Sequence, residues 1–221
     1  MRTLIIPDIH TNFVLADKII TQEKPDNIVF LGDYFDCHDD SLDITEKTAF
    51  WLKESLKKEN RTHLLGNHDL SYLDPVFACS GFTEDKLSVI QKTGLNLSEL
   101  VHYCWVGDFL CTHAGLSNNF YQKYSSGLSV NDFLQKYTTD KNLRTVLYDC
   151  SPARGGIDEF AGIVWCDYND DFVDIPNIKQ IFGHTRGNLR QTEQHICLDT
   201  DLQNYAIFEK EMMVKEFNKR G

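Results

Sequence analysis

Carboxylates and imidazoles gather at five places in this chain, each at the end of a short apolar run. Leu4-Ile5-Ile6 leads into Asp8 and His10, Ile28-Val29-Phe30-Leu31 into Asp33 and Asp36, and Leu64-Leu65 into Asn67, His68 and Asp69. Further on, Phe109-Leu110-Cys111-Thr112 ends in His113, and Lys179-Gln180-Ile181-Phe182 ends in Gly183-His184-Thr185-Arg186. Mixed oxygen and imidazole donors suit first-row divalent ions such as manganese, iron, zinc or nickel better than magnesium or calcium. The set contains no paired thiolates, which argues against a closed structural zinc site. Two ions sharing one carboxylate, roughly 3.5–4 Å apart, can clamp both oxygens of an in-line displacement at phosphorus. Metal-assisted chemistry is the expectation.

The apolar runs are short and rich in residues that suit buried strands, and open α/β sheets place their chemistry at the carboxyl ends of strands. Between the first two runs, residues 12–22 put Phe13, Leu15, Ala16, Ile19 and Ile20 on one helical face, and Lys24-Pro25-Asp26 stops that helix. The opening is therefore βαβ, with two parallel strands. His38-Asp39-Asp40-Ser41 reads as an acidic loop, and Thr45 to Asn60 as an amphipathic helix with Phe50, Leu52 and Leu56 inward. Leu70 to Gly81 reads as a loop before a helix near Thr83 to Lys92. Leu100 to Leu110 alternates around Gly107-Asp108, the pattern of a hairpin. Residues 118–150 look helical and polar, Ser151 to Gly156 looks like a flexible loop, and the tail from Ile196 to Val214 reads as two or three antiparallel strands.

A chain of 221 residues supports one well-buried core and is short for two, and no linker, repeat or low-complexity run divides it. A single domain over residues 1–221 is expected. No stretch approaches the roughly 18 apolar residues of a membrane span, and the N-terminus runs into a strand without a signal-peptide pattern, so the expected location is the cytoplasm. The seven cysteines are scattered without a CxxC pair and read as reduced, mostly small apolar fillers; Cys37, beside Asp36, reads as a bystander. The net charge of −11 disfavours long nucleic acid but constrains a small phosphorylated substrate less, since ions would cancel the ligands' charge locally.

In order, the motifs are Asp8-Ile9-His10, Gly32-Asp33-Tyr34-Phe35-Asp36, Gly66-Asn67-His68-Asp69, His113 and Gly183-His184-Thr185-Arg186. The sequence resembles the calcineurin-like metallophosphoesterase superfamily, whose pattern is DxH, GDxxD, GNH(D/E), a lone His, then GHT or GHxH. Five motifs in order are far more specific than any one. The runs His113 to Ser117, Trp165-Cys166-Asp167 and Leu198-Asp199-Thr200 lean towards the small bacterial and phage phosphoprotein-phosphatase branch. The resemblance implies a four-layered α/β/β/α sandwich, with two mixed sheets flanked by helices. It implies that Asp8, His10 and Asp33 hold a first ion, manganese for preference. Asp33 would bridge to a second, completed by Asn67, His113 and His184. A hydroxide bridging the ions would attack phosphorus, His68 would protonate the leaving oxygen, and Asp36 would hold the tautomer of His68.

The chain also departs from the family pattern. Members commonly have glycine before Asp8 and after His10, where this chain has Pro7 and Thr11. The phosphoprotein-phosphatase branch follows Asp36 with an arginine that grips phosphate, where this chain has Cys37. Arg186 stands where the superfamily often has a second histidine, and it is a candidate phosphate contact, as is Arg154 in its glycine-flanked loop. His38, His63, His102 and His195 lack motif context and read as structural or exposed; Trp165 and Phe35 read as core. The leading expectation is a phosphomonoesterase acting on a phosphorylated small molecule or a phosphoprotein. A phosphodiesterase or a hydrolase of dinucleoside polyphosphates is the alternative, and a non-catalytic binding module ranks last. Nothing in the sequence fixes an oligomeric state.

Overall fold

The computed structural model describes residues 1–37 and 40–217. His38 and Asp39, part of the expected acidic loop, lie outside the described residues. In chain order the elements are β1 (Thr3–Ile6), α1 (Phe13–Glu23), β2 (Asn27–Phe30), α2 (Leu42–Leu56), β3 (Arg61–His63), α3 (Asn67–Leu73), α4 (Glu84–Lys92), β4 (Tyr103–Val106), β5 (Phe109–Thr112), α5 (Asn118–Tyr124), α6 (Val130–Thr139), α7 (Lys141–Arg144), β6 (Lys179–Phe182), β7 (Arg190–Gln191), β8 (His195–Cys197), β9 (Asn204–Phe208) and β10 (Met212–Glu216). They form two compact units, one of residues 1–101 with the segment from Thr200 onward, the other of residues 102–199. Each unit holds one mixed five-stranded sheet, which makes this an α/β protein. No helix among the described residues is long and apolar enough to cross a membrane.

In the first unit the strand order is β10-β9-β1-β2-β3. β1, β2 and β3 are parallel, with Ile6 opposite Phe30 and Phe30 opposite His63, and β9 and β10 add antiparallel strands at the other edge. The parallel strands are short and apolar because both faces are covered, and Leu4, Ile5, Ile6 and Phe30 are fully buried. The βαβ opening is confirmed. α1 ends where Lys24 turns left-handed and its N–H returns to the Ile20 carbonyl, just before Pro25 prevents continuation. α2 starts earlier than its periodicity suggested, capped by Ser41, whose Oγ accepts from Ile44 N–H at 3.3 Å. Leu52 is buried as expected, but Phe50 is 48% exposed and is not an inward residue. Residues 67–73, expected as a tip and a loop, form the short helix α3.

In the second unit the order is β4-β5-β6-β8-β7. β4 and β5 form the expected hairpin, and β5, β6 and β8 run parallel. The tail is therefore not wholly antiparallel: β8 joins this sheet parallel to β6, whereas β9 and β10 belong to the other sheet. The helical stretch 118–150 contains α5, α6 and α7, anchored by the buried Phe120, Phe133 and Leu134. From β6, the buried Gln180 amide accepts from Leu116 N–H at 2.9 Å and donates to the Leu116 carbonyl at 3.0 Å. That pair fixes the chain just after His113.

Candidate active site

In the first unit, hydrogen bonds from backbone N–H groups tie three strand ends together. Ile9 and His10 N–H donate to the Asp33 carbonyl at 3.0 and 2.8 Å, and Thr11 N–H donates to the Tyr34 carbonyl at 2.8 Å. Asp69, fully buried, completes the tie. Its Oδ2 accepts from Asp33 N–H at 2.8 Å and Gly66 N–H at 3.0 Å, while Oδ1 accepts from Tyr34 N–H at 2.9 Å. The last carboxylate of the Gly66-to-Asp69 motif thus braces the backbone. Below it, the phenol of Tyr34 meets His63 Nδ1 at 2.9 Å, and the His63 ring stacks on Phe30 with centroids 4.4 Å apart. Burial, together with Asp69, Asp33 and Asp8, raises the Tyr34 phenol well above its ordinary range, so it stays neutral.

On this brace sit Asp8, Asp33 and Asn67, all buried, and His10, which is partly exposed. His10 Nδ1 lies 3.0 Å from the Phe35 carbonyl, which can only accept, so Nδ1 carries the proton. Nε2 is the nitrogen left to accept, 3.8 Å from Asp33 Oδ2. Ring or carboxylate atoms of His10, Asp33 and His68 lie within 4.8 Å of one another. His10, Thr11, Asp33 and Asp36 all have positive φ, between 41° and 64°. Such conformations cost roughly 1–2 kcal/mol per residue. Thr11 occupies a left-handed position where the family commonly has glycine, held by its own N–H and by Oγ1 donating to Asp40 Oδ1 at 3.0 Å. Asp40 Oδ2 also accepts from Cys37 N–H at 2.7 Å, so one carboxylate braces two of the family departures. Cys37 itself is exposed.

His68 and Asp36 form the pair the sequence anticipates, with Nδ1 3.1 Å from Oδ2. A second set of partners was not anticipated. Asp36 Oδ1 accepts from Tyr72 Oη at 2.6 Å and from Lys86 Nζ at 2.8 Å. Burial works against the Asp36 charge, but the hydrogen bonds from His68, Lys86 and Tyr72 hold the carboxyl below its usual range. Burial likewise opposes charge on His68, yet Asp33 and the Asp36 hydrogen bond outweigh it and lift the ring to about 11. Both ring nitrogens of His68 therefore carry protons. Neither Tyr72 nor Lys86 carries a sequence signal; each meets Asp36 only through the fold.

In the second unit, His113 and His184 follow β5 and β6, and Gly183 N–H donates to the His113 carbonyl at 2.7 Å. Their ring nitrogens Nε2 and Nδ1 come within 3.2 Å, and His184 has a φ of 67°. Trp165 packs edge-on against His184, centroids 5.8 Å apart. Trp165 is partly buried against Ala114, Ala161 and Cys166, and Phe35, in the first unit, is fully buried. Arg154 is engaged by Asp167, Nε to Oδ2 at 2.8 Å, and donates through Nη2 to Thr185 Oγ1 at 3.0 Å. It is thereby fixed beside the residue that follows His184. Arg186 is exposed. His102 meets Tyr148 Oη at 2.7 Å, and His195 lies between Asp174 at 2.8 Å and Tyr168 Oη at 3.0 Å, both structural settings.

These donors fit divalent cations. The first unit presents buried carboxylates beside an imidazole whose accepting nitrogen is fixed by its other hydrogen bond, and the second presents two imidazole nitrogens side by side. Among solved structures, the protein resembles a protein serine/threonine phosphatase from Saccharomyces cerevisiae with similarity to human phosphatase PP5. The identity is 12%, the TM-score 0.57, and the match covers 100% of this chain and 81% of the other. It also resembles a candidate diadenosine tetraphosphatase at 17% identity and a TM-score of 0.52, covering 99% and 94% of the two chains. At such identities the likeness shows the fold. No curated protein matches the sequence. The family described as calcineurin-like phosphoesterase matches residues 1–188, a span that includes all five motifs, and the chain belongs to that family of metal-dependent phosphoester hydrolases.

Proposed function

We propose that the protein hydrolyses phosphate monoesters, on a small molecule or a phosphoprotein, with two divalent cations, manganese for preference. Asp8, His10, Asp33, Asn67, His113 and His184 would hold them. The ions would supply positive charge to the phosphate oxygens and acidify a water nucleophile. His68 holds a proton at Nε2 for the departing ester oxygen, while Asp36 accepts the Nδ1–H hydrogen bond and keeps the ring oriented. Cations bound at Asp33 would weaken the attraction that lifts His68 to about 11, making the ring a readier donor. Arg186 and Arg154 are proposed to meet non-bridging phosphate oxygens, in place of the arginine that Cys37 replaces. A cytoplasmic setting belongs to the same reading, in keeping with the free thiols.

The observation that carries this reading is the His68–Asp36 pair, 3.1 Å apart and adjacent to the His10–Asp33 donors. A substrate panel in Mn²⁺ tests it, comparing an aryl phosphate monoester, an aryl diester, phosphopeptides and dinucleoside polyphosphates. The monoester and the phosphopeptides should turn over fastest. Preference for the diester or the dinucleoside polyphosphate would replace this reading with the corresponding one on the same residues.

A further inference from the structure

Asp36 has two oxygens, and they face different partners. Oδ2 meets His68, whereas Oδ1 takes Tyr72 Oη at 2.6 Å and Lys86 Nζ at 2.8 Å. All three bonds are shielded: the Asp36 side chain is 1% exposed and that of Lys86 is 10% exposed. A lysine this deeply placed needs a charged partner. Lys86 Nζ also donates to the Gly81 carbonyl at 3.0 Å and lies 3.7 Å from Asp40 Oδ2, so its position is fixed from three sides. Gly81 itself has φ +92°, and a Cβ there would stand 2.7 Å from Asp36 Cβ. Only glycine lets that carbonyl come so close. α4 supplies the lysine from its first turn, where Thr83 Oγ1 accepts from Lys86 N–H at 3.2 Å.

We infer that Lys86 and Tyr72 are positioning residues for the phosphoester reaction: by occupying Oδ1 of Asp36 they turn Oδ2 towards His68 Nδ1 and hold the ring so that Nε2 faces the leaving group. The inference rests on the reading of His68 as proton donor. Without the two donors the carboxylate can rotate about its Cβ–Cγ bond, a soft torsion, and His68 loses its fixed acceptor. Lys86 is too enclosed to grip phosphate itself. Its task is to fix the residue that fixes the acid.

The test compares two substrates, nitrophenyl phosphate, whose leaving group needs no proton, and phenyl phosphate, whose leaving group does. Five variants are assayed in Mn²⁺: His68→Ala, Lys86→Met, Lys86→Arg, Tyr72→Phe and the double variant His68→Ala with Lys86→Met. His68→Ala should lose about 10²–10⁴-fold in kcat on phenyl phosphate and much less on nitrophenyl phosphate. Lys86→Met and Tyr72→Phe should lose in the same selective way but less, about tenfold on phenyl phosphate. Lys86→Arg should recover most of the loss, and Lys86→Met should add nothing in the His68→Ala background. A second readout uses the metal-free protein: the nitrogen chemical shifts of the His68 ring should show Nδ1 losing its strong hydrogen bond in Tyr72→Phe. That single-oxygen deletion serves if Lys86→Met fails to fold. A selective His68→Ala beside unselective Lys86→Met and Tyr72→Phe, with unchanged ring shifts, overturns this inference alone. An unselective His68→Ala overturns the acid reading and the inference with it.

Discussion

An imidazole has two nitrogens, and the role open to each histidine here is set by the group that holds the second one. His10 gives Nδ1 to a carbonyl, which leaves Nε2 for the ion proposed there; His68 gives Nδ1 to a carboxylate and keeps its charge. His63 is held at both ends, by Ser55 Oγ at 2.9 Å and Tyr34 Oη at 2.9 Å, and burial, helped by the Arg61 charge, pulls it down to about 3. A neutral buried histidine stabilises the fold fully above its unfolded pKa of about 6.5 and progressively less as the pH falls below that value. At pH 4.5 the loss reaches about 2–3 kcal/mol. The metal-free protein should therefore melt several degrees lower at pH 4.5 than at 6.5, and His63→Gln should flatten that limb. Parallel curves for the two proteins would remove His63 from the account. The raised His68 works with the opposite sign: its contribution is present below about 6.5 and is lost as the pH rises towards about 11.

At the scale of elements, the turn between β3 and α3 holds the first unit's site in register. A Cβ at Gly66 would stand 2.1 Å from Asp33 Oδ1 and 2.5 Å from Asp33 N; Oδ1 is held by His68 N–H at 3.0 Å and N by Asp69 Oδ2 at 2.8 Å, so neither can retreat without breaking a hydrogen bond. Gly66→Ala should cost at least about 2 kcal/mol in chemical denaturation, since overpacking a braced site commonly costs 1–3. It should also weaken manganese binding, as seen by calorimetric titration. A variant with native stability and affinity would mean that the turn is softer than its contacts require. The strand ends were legible in the sequence because each joins two signals, an apolar run and a burst of donors. α3 was not, because Asn67, His68 and Asp69 are weak helix formers held by tertiary contacts, notably Asp69 to the N–H groups of Asp33 and Tyr34 at 2.8 and 2.9 Å. Phe50 was misplaced because periodicity alone leaves the phase of a helix open. Tyr72 and Lys86 lie 36 and 50 residues from Asp36, a separation at which no local pattern forms.

Over the whole molecule, each unit uses the same device. Parallel strands are buried on both faces, and the chain turns polar at their carboxyl ends. The left-handed φ values at His10, Asp33, Asp36 and His184 add a feature invisible in sequence: four residues proposed for the site adopt a backbone that ordinary residues avoid. The net charge of −11 acts at the same scale, opposing long polyanions while bound cations would neutralise the carboxylates locally. The central claim is that six residues, Asp8, His10, Asp33, Asn67, His113 and His184, hold two ions. Elemental analysis of protein loaded with Mn²⁺ and then dialysed tests it directly. Two manganese ions per chain, lost together in Asp33→Ala, is the predicted result; one ion per chain, or two that persist in Asp33→Ala, would contradict it.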